Sequence, residues 1–218
     1  VYADNNSPYH GKAIVGTVSG TTINFGTPVT FDSGSIYYTS SAYDSTNQRV
    51  IITYIDFNDS SKGKSIVGTV NGNSISFGSS VTFSANTTTE TSVVYDPVNQ
   101  KVVILWVDSQ VSDFGKSVVG TVNPLNNTIS IGSAYTFNTG STGDISTVYD
   151  SNRNRVVVAY RNAGNSSYGT AKVGRIDTTS NTMLFTGASV FASNAVSSIS
   201  AVYDSDNNSI VIAYRDDS

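Results

Sequence analysis

Two sets of residues in this 218-residue chain have types and spacings suited to chemistry. The first is an aromatic followed two positions later by Asp or Asn: Tyr2 with Asp4, Tyr54 with Asp56, Trp106 with Asp108, Tyr160 with Asn162 and Tyr214 with Asp216. Aromatic faces stack on sugar C–H groups while carboxylates and amides take the hydroxyls, so the mixture suits carbohydrate binding. A plainer role fits each single pair, with the ring filling space between packed elements and the acid capping a loop. The second set is Glu90 and Asp144, which hold equivalent places in adjacent internal repeats, where the other two repeats carry Tyr38 and Ser198. Two carboxylates flanking a glycosidic bond supply a general acid and base. Repeat drift at a solvent-exposed position accounts for them equally well.

Other chemistries are poorly supplied. Without Cys there is no disulfide framework and no thiolate. A single His (His10) excludes a multi-histidine zinc site. Asp204-Ser205-Asp206-Asn207-Asn208 opens like a calcium loop but lacks its Gly and distal Glu, so no metal or other cofactor is expected. Basic residues are few and scattered in a chain of net charge −4, which argues against a nucleic-acid partner. No apolar run is long enough for membrane insertion.

An internal repeat organises these residues. Gly11-Lys12-Ala13-Ile14-Val15-Gly16-Thr17-Val18 returns at 63–70 and 115–122, and in weaker form from Gly169 to Ile176. Phe31, Phe83, Phe137 and Phe191 precede Tyr43, Tyr95, Tyr149 and Tyr203 by a constant interval, and Tyr54, Trp106, Tyr160 and Tyr214 close each unit. The units run 11–62, 63–114, 115–168 and 169–218, about 52–54 residues each, and form one domain over 1–218. Val1–Asn6 align with Ala213–Ser218, so residues 1–10 are expected to complete a ring.

Helix formers are scarce, with a single Glu, while Tyr, Phe, Val, Ile and Thr abound, so each unit reads as four short strands. The first is the Lys-Ala-Ile-Val-Gly-Thr-Val type, followed by a tight turn such as Ser19-Gly20-Thr21-Thr22. The second runs from Ile23 to Phe31, with Gly26 at a bulge or close approach. The third ends in Tyr-Asp, and Asp44, Asp96, Asp150 and Asp204 accept hydrogen bonds from turn amides there. The fourth, Val50–Ile55, is apolar on both faces and so lies inside a stack of sheets. Four-stranded antiparallel blades repeated at this period describe an all-β propeller, here a four-bladed ring. The alternative is a slice of a longer array.

Alternate connections of such a blade emerge together. The short turns share one face; the longer, more varied connections share the other: 4–10, 56–62, 108–114 and 162–168 with 32–37, 84–89, 138–143 and 192–197. Variable loops on a rigid scaffold are where binding residues gather, so this face is the functional candidate.

Ile145-Ser146-Thr147-Val148-Tyr149-Asp150 followed by Arg155-Val156-Val157-Val158-Ala159-Tyr160 resembles the inner strands of sialidase-like propeller blades. That resemblance implies that the third strand of each unit is innermost and the second outermost. The Ser-x-Asp-x-Gly-x-Thr-Trp box of those enzymes is missing, as is an arginine cluster. The Val-Gly-Thr-Val-x-Gly-x-x-Ile-x-Phe-Gly pattern at 67–78 is similar to repeats of tail-fibre and virion structural proteins of marine phages. This second resemblance implies a surface or adhesion role, extracellular or on a virion, and brings no catalytic residues.

The expectation is therefore a non-catalytic module that recognises a glycan or cell-surface polymer through the variable-loop face, alone or in a homo-oligomer or larger assembly. A purely structural repeat making protein contacts is the first alternative. A glycoside-active enzyme using Glu90 and Asp144 is the second.

Overall fold

β-Branched and aromatic residues separated by Gly-, Asn- and Asp-bearing turns favour short antiparallel strands over helices. A computed structural model, which describes residues 1–4 and 8–218, consists of such strands. The N-terminal part holds β1 (Tyr2–Ala3), β2 (Gly11–Ala13), β3 (Gly16–Ser19), β4 (Thr22–Phe25) and β5 (Val29–Asp32). Next come β6 (Ile36–Asp44), β7 (Arg49–Asp56), β8 (Lys62–Asn71) and β9 (Ser74–Phe77), and then β10 (Val81–Asp96), β11 (Lys101–Asp108), β12 (Phe114–Asn123) and β13 (Thr128–Ile131). The chain ends through β14 (Tyr135–Asp150), β15 (Arg155–Asn162), β16 (Tyr168–Asp177), β17 (Thr182–Phe185), β18 (Ser189–Asp204) and β19 (Ser209–Asp216).

Pairing is antiparallel throughout and runs β6-β7-β8-β9, β10-β11-β12-β13 and β14-β15-β16-β17. Each four-stranded sheet thus takes the second half of one repeat and the first half of the next. The expected second and third strands divide differently from their sequence reading. The chain breaks after Phe25, where Gly26 N–H donates to Val15 O at 2.9 Å, and resumes in β5. In the later repeats that resumed segment runs on without a loop, so β10, β14 and β18 are single strands of 16 residues. Each begins against one sheet and ends in the next: Val81 pairs with Ser65 of β8, and Asp96 with Lys101 of β11. Register shifts along the way absorb the change of partner.

The doubly apolar fourth strand is buried as expected. Ile51, Ile52, Thr53, Tyr54 and Ile55 of β7 are inaccessible, as are Val102 to Leu105 of β11. The turn acids also take their expected part. Asp44, Asp96, Asp150 and Asp204 each accept from the N–H groups two and three residues on, as in Val98 N–H and Asn99 N–H to Asp96 Oδ1, both 3.0 Å. Asp204 is thereby a turn cap. Gly20 and Gly72 sit in the left-handed region their tight turns require, at φ +60° and +57°.

β6, β10, β14 and β18 pack side by side, cross-linked by Val93 N–H to Ser40 Oγ at 3.3 Å and Ala201 N–H to Ser146 Oγ at 2.9 Å. Hydrogen-bonded pairing does not close the described strands into a ring. β19 pairs with β18 alone, while β1, β2 and β5 form a separate sheet and β3 pairs only with β4. The reason is visible in the register. Tyr2 opposes Lys12 as Tyr54 opposes Lys64, so β1 already holds the edge of β2 that ring closure would give to β19. Asn5–Ser7, part of the expected 1–10 closing segment, lie outside the described residues.

Candidate functional site

In each of β6, β10, β14 and β18 the register against the neighbour slips, between Tyr37 and Ser40, Thr89 and Thr91, Gly143 and Ser146, and Ser197 and Ser200. Inside each slip one residue adopts left-handed backbone: Tyr38 at φ 49°, Glu90 at 52°, Asp144 at 51° and Ser198 at 55°. Non-glycine residues avoid this region because Cβ crowds the following carbonyl, so four in register are a built feature. A bulge re-aims its side chain. Here Tyr38, Glu90 and Asp144, with Thr39, Thr91, Ile145 and Ile199, line an open hollow of about 280 Å³.

The two acids proposed from the repeat therefore share one hollow, in unlike surroundings. Glu90 Oε2 accepts from Ile145 N–H at 3.1 Å. Burial of Glu90 pushes its pKa above the ordinary carboxylate range, against that hydrogen bond and with the help of the Asp144 charge. Asp144 Oδ1 accepts from Ser198 N–H at 2.8 Å, and Oδ2 takes Arg161 Nε at 2.8 Å. Arg215, the repeat equivalent of Arg161, pairs with Asp217.

Beside the hollow stands a ridge of exposed aromatics. Tyr37, the neighbour of Tyr38, packs between Tyr9 at a centroid distance of 5.6 Å and Phe57 at 4.6 Å. All three retain substantial exposure, from 36% for Tyr9 to 53% for Phe57. The segments that carry them are zipped together: Ile36 N–H donates to Tyr9 O at 3.0 Å and Phe57 N–H to Ser35 O at 2.9 Å. Asp56 caps the 3₁₀ turn Phe57–Asp59, accepting from Asn58 and Asp59 N–H, and also takes Lys64 Nζ at 2.6 Å.

The aromatic–acid pairs have a different role from the one expected of them as a binding set. Tyr54, Trp106 and Tyr160 are almost wholly buried, so no ligand can stack on their faces. They pack instead on Phe31, Phe83 and Phe137 at centroid distances of 5.2, 5.3 and 5.4 Å. The fourth pair, Phe191 with Tyr214 at 5.4 Å, leaves Tyr214 42% exposed because no further sheet covers it among the described residues. The rings of Phe31, Phe83, Phe137 and Phe191 in turn lie over Gly11, Gly63, Gly115 and Gly169, where a Cβ would collide with them. Burial raises the Tyr160 hydroxyl to about 12, and its Oη is enclosed without a partner.

The acids of those pairs close loops. Asp108 accepts both contacts from Asn86 Nδ2, at 3.1 and 2.9 Å; Asn162 Oδ1 faces Asn138 Nδ2 at 3.4 Å; Asp216 accepts from Ser218 N–H at 3.1 Å. Of the expected site residues, only Glu90 and Asp144 meet at a hollow. Tyr9, Tyr37 and Phe57 were not among them, although the sequence carries their signal. Each is an aromatic where the other repeats have Ser61, Asp113 and Ser167, Thr89, Gly143 and Ser197, or Ser109, Ala163 and Asp217.

No protein-family model and no curated protein sequence matches this chain. Among solved structures it is similar to a leech intramolecular trans-sialidase, complexed with 2,7-anhydro-Neu5Ac prepared by soaking with 3'-sialyllactose, at a TM-score of 0.57 and 11% identity. The fold is sialidase-like. The likeness covers 95% of this chain and 39% of the leech chain, so this chain spans about two-fifths of that enzyme's length. At that identity the likeness concerns the course of the backbone. The missing Asp box and the engagement of Arg161 and Arg215 by Asp144 and Asp217 are this chain's own features.

Proposed function

We propose that the successive sheets are blades of a β-propeller and that its loop face is a non-catalytic recognition surface for a glycan. One observation carries the reading. The aromatic ridge Tyr9–Tyr37–Phe57 stands beside a hollow that presents Tyr38 and two carboxylates, and each of these residues departs from the repeat that builds the scaffold. Exposed rings give a stacking surface for sugar C–H faces, and Glu90 and Asp144 offer acceptors for hydroxyls. Closing four units into a ring would require Tyr214 to take the place of Tyr2 opposite Lys12. Such a module fits an extracellular or virion-surface setting, alone or in a larger assembly.

Glycan-array binding by the full chain tests the proposal, with loss expected on Tyr37→Ala or Phe57→Ala and retention on Val98→Ala, an exposed residue of a short turn. Absence of binding to any glycan would favour a purely structural module. The unlike environments of Glu90 and Asp144 favour one further reading, a glycoside-active enzyme with Glu90 as proton donor. Hydrolysis of a glycoside, abolished by Glu90→Gln, would establish it.

A further inference from the structure

Each left-handed residue of β6, β10, β14 and β18 follows a position paired with the adjoining strand, and that pairing partner differs from sheet to sheet. Tyr37 opposes Ile55, Thr89 opposes Val107, Gly143 opposes Arg161 and Ser197 opposes Arg215. Beside Asp144 the register thus supplies a guanidinium, and Arg161 Nε meets Asp144 Oδ2 at 2.8 Å. Beside Glu90 it supplies the apolar Val107. No ion pair engages Glu90 among the described residues. Arg161 is near enough to act on Glu90 through space, but its charge is already matched by Asp144. Arg215 is likewise matched by Asp217.

The hollow between these strands therefore holds one balanced carboxylate and one unbalanced one, and its lining includes no cation. The raised pKa of Glu90 reflects the same deficit, since burial and the Asp144 charge outweigh the Ile145 N–H and the more distant Arg161. Two hydroxyls stand in the same lining. Tyr38 and Thr39 spend neither Oη nor Oγ1 on another described residue, and Tyr38 is exposed. At about 280 Å³ the hollow lies at the small end of ligand sites, a size for one sugar unit.

We infer that the sugar unit this hollow takes carries a free amino group, so that the ligand is a cationic amino sugar rather than a neutral or acidic one. The inference rests on the glycan reading and sharpens it. A protonated amine gives Glu90 the charge partner that its own sheet withholds, and a charge-assisted hydrogen bond in a partly desolvated hollow is worth more than one to a sugar hydroxyl. Its remaining N–H donors find acceptors in Tyr38 Oη and Thr39 Oγ1, which line the same space. The exposed Tyr38 ring adds attraction for a cation through its face. An acidic sugar meets the reverse. Its carboxylate would face Glu90 and Asp144 with Arg161 already engaged, and like charges brought together without a counter-ion are costly.

The probes are a β-linked glucosamine trisaccharide, its fully N-acetylated counterpart and a sialylated trisaccharide, each titrated calorimetrically against the full chain near neutral pH. The amino form is expected to bind about tenfold more tightly than the N-acetylated form, by an amount that shrinks as salt rises, and the sialylated form most weakly. Glu90→Gln should bring the amino form down to the level of the N-acetylated one. Its melting temperature should be no lower than the parent's, which separates loss of the charge from loss of the fold. Binding of the N-acetylated or sialylated form as tightly as the amino form, or an amino preference that survives Glu90→Gln, would overturn the inference and leave the glycan reading standing. Failure of all three sugars to bind at millimolar concentration would overturn the glycan reading and this inference with it.

Discussion

Two groups of aromatics divide the labour of this chain. Phe31, Tyr54, Phe83, Trp106, Phe137 and Tyr160 recur with the repeat and pack ring on ring between successive sheets. Tyr9, Tyr37 and Phe57 occur once each, in or beside loops at positions where the other repeats carry small or polar residues, and they pack ring on ring in the open. The chemistry of the side chains is the same. What differs is whether every unit needs the residue. A position that each unit must fill to seal its junction becomes consensus, and a position free of that duty can diverge toward recognition.

The sharpest test of that division is truncation of a repeated ring. Trp106→Ala is expected to cost about 3–5 kcal/mol of stability in denaturant unfolding, because it empties a packed site between sheets. Glycan binding by the protein that stays folded should be unchanged. A binding loss at full stability would place Trp106 in the recognition surface and break the comparison.

Asp96→Ala should cost about 2 kcal/mol, since the buried carboxylate accepts from two turn N–H groups and from Asn99 Nδ2. Asp204→Ala removes the same bonds from an exposed turn and should cost clearly less in the same unfolding measurement. Equal losses would mean that burial does not set the value of this cap.

For the non-repeating ring the expectation inverts. Tyr37→Ala should weaken glycan binding about tenfold, near the 1.4 kcal/mol such a factor represents, and shift thermal melting little. A large drop in melting temperature would make the ridge a structural cluster.

Glu90→Gln gives the smallest effect, and its sign depends on pH. Burial raises the folded-state pKa, so below the ordinary Glu range both states are protonated and the substitution changes little. As pH rises, the unfolded chain ionises first and the parent loses stability until folded Glu90 ionises too; above that the loss is constant. Melting temperatures near pH 4 and pH 7 should therefore show the Glu90→Gln variant ahead of the parent at the higher pH only. An advantage at both would assign it to something other than the carboxylate charge.

The scaffold is largely legible in the sequence. The Gly-Lys-x-Ile-Val-Gly-Thr-Val strand, the turn acids, the doubly buried fourth strand and the close approach at Gly26 are local or periodic facts, and periodicity survives folding. The site was legible only in part. Glu90 and Asp144 stood out because they break a column of the repeat. Tyr54, Trp106 and Tyr160 do the opposite, forming a regular set, and here regularity marks packing. Tyr9, Tyr37 and Phe57 lie far apart in the sequence, and only the loop zipper formed by Ile36, Tyr9, Phe57 and Ser35 brings them together.

Composition and period by themselves determined an antiparallel all-β array, because strand propensity, turn chemistry and a two-faced apolar strand each act over a few residues. Three matters were decided only in three dimensions. The first is which half-repeats share a sheet. The second is that left-handed bulges aim Glu90 and Asp144 into one hollow. The third is that β1 holds the edge of β2, while β19 pairs with β18 alone. Each depends on hydrogen-bond register between segments distant in the chain, and register is a property of pairs of strands that no single segment encodes.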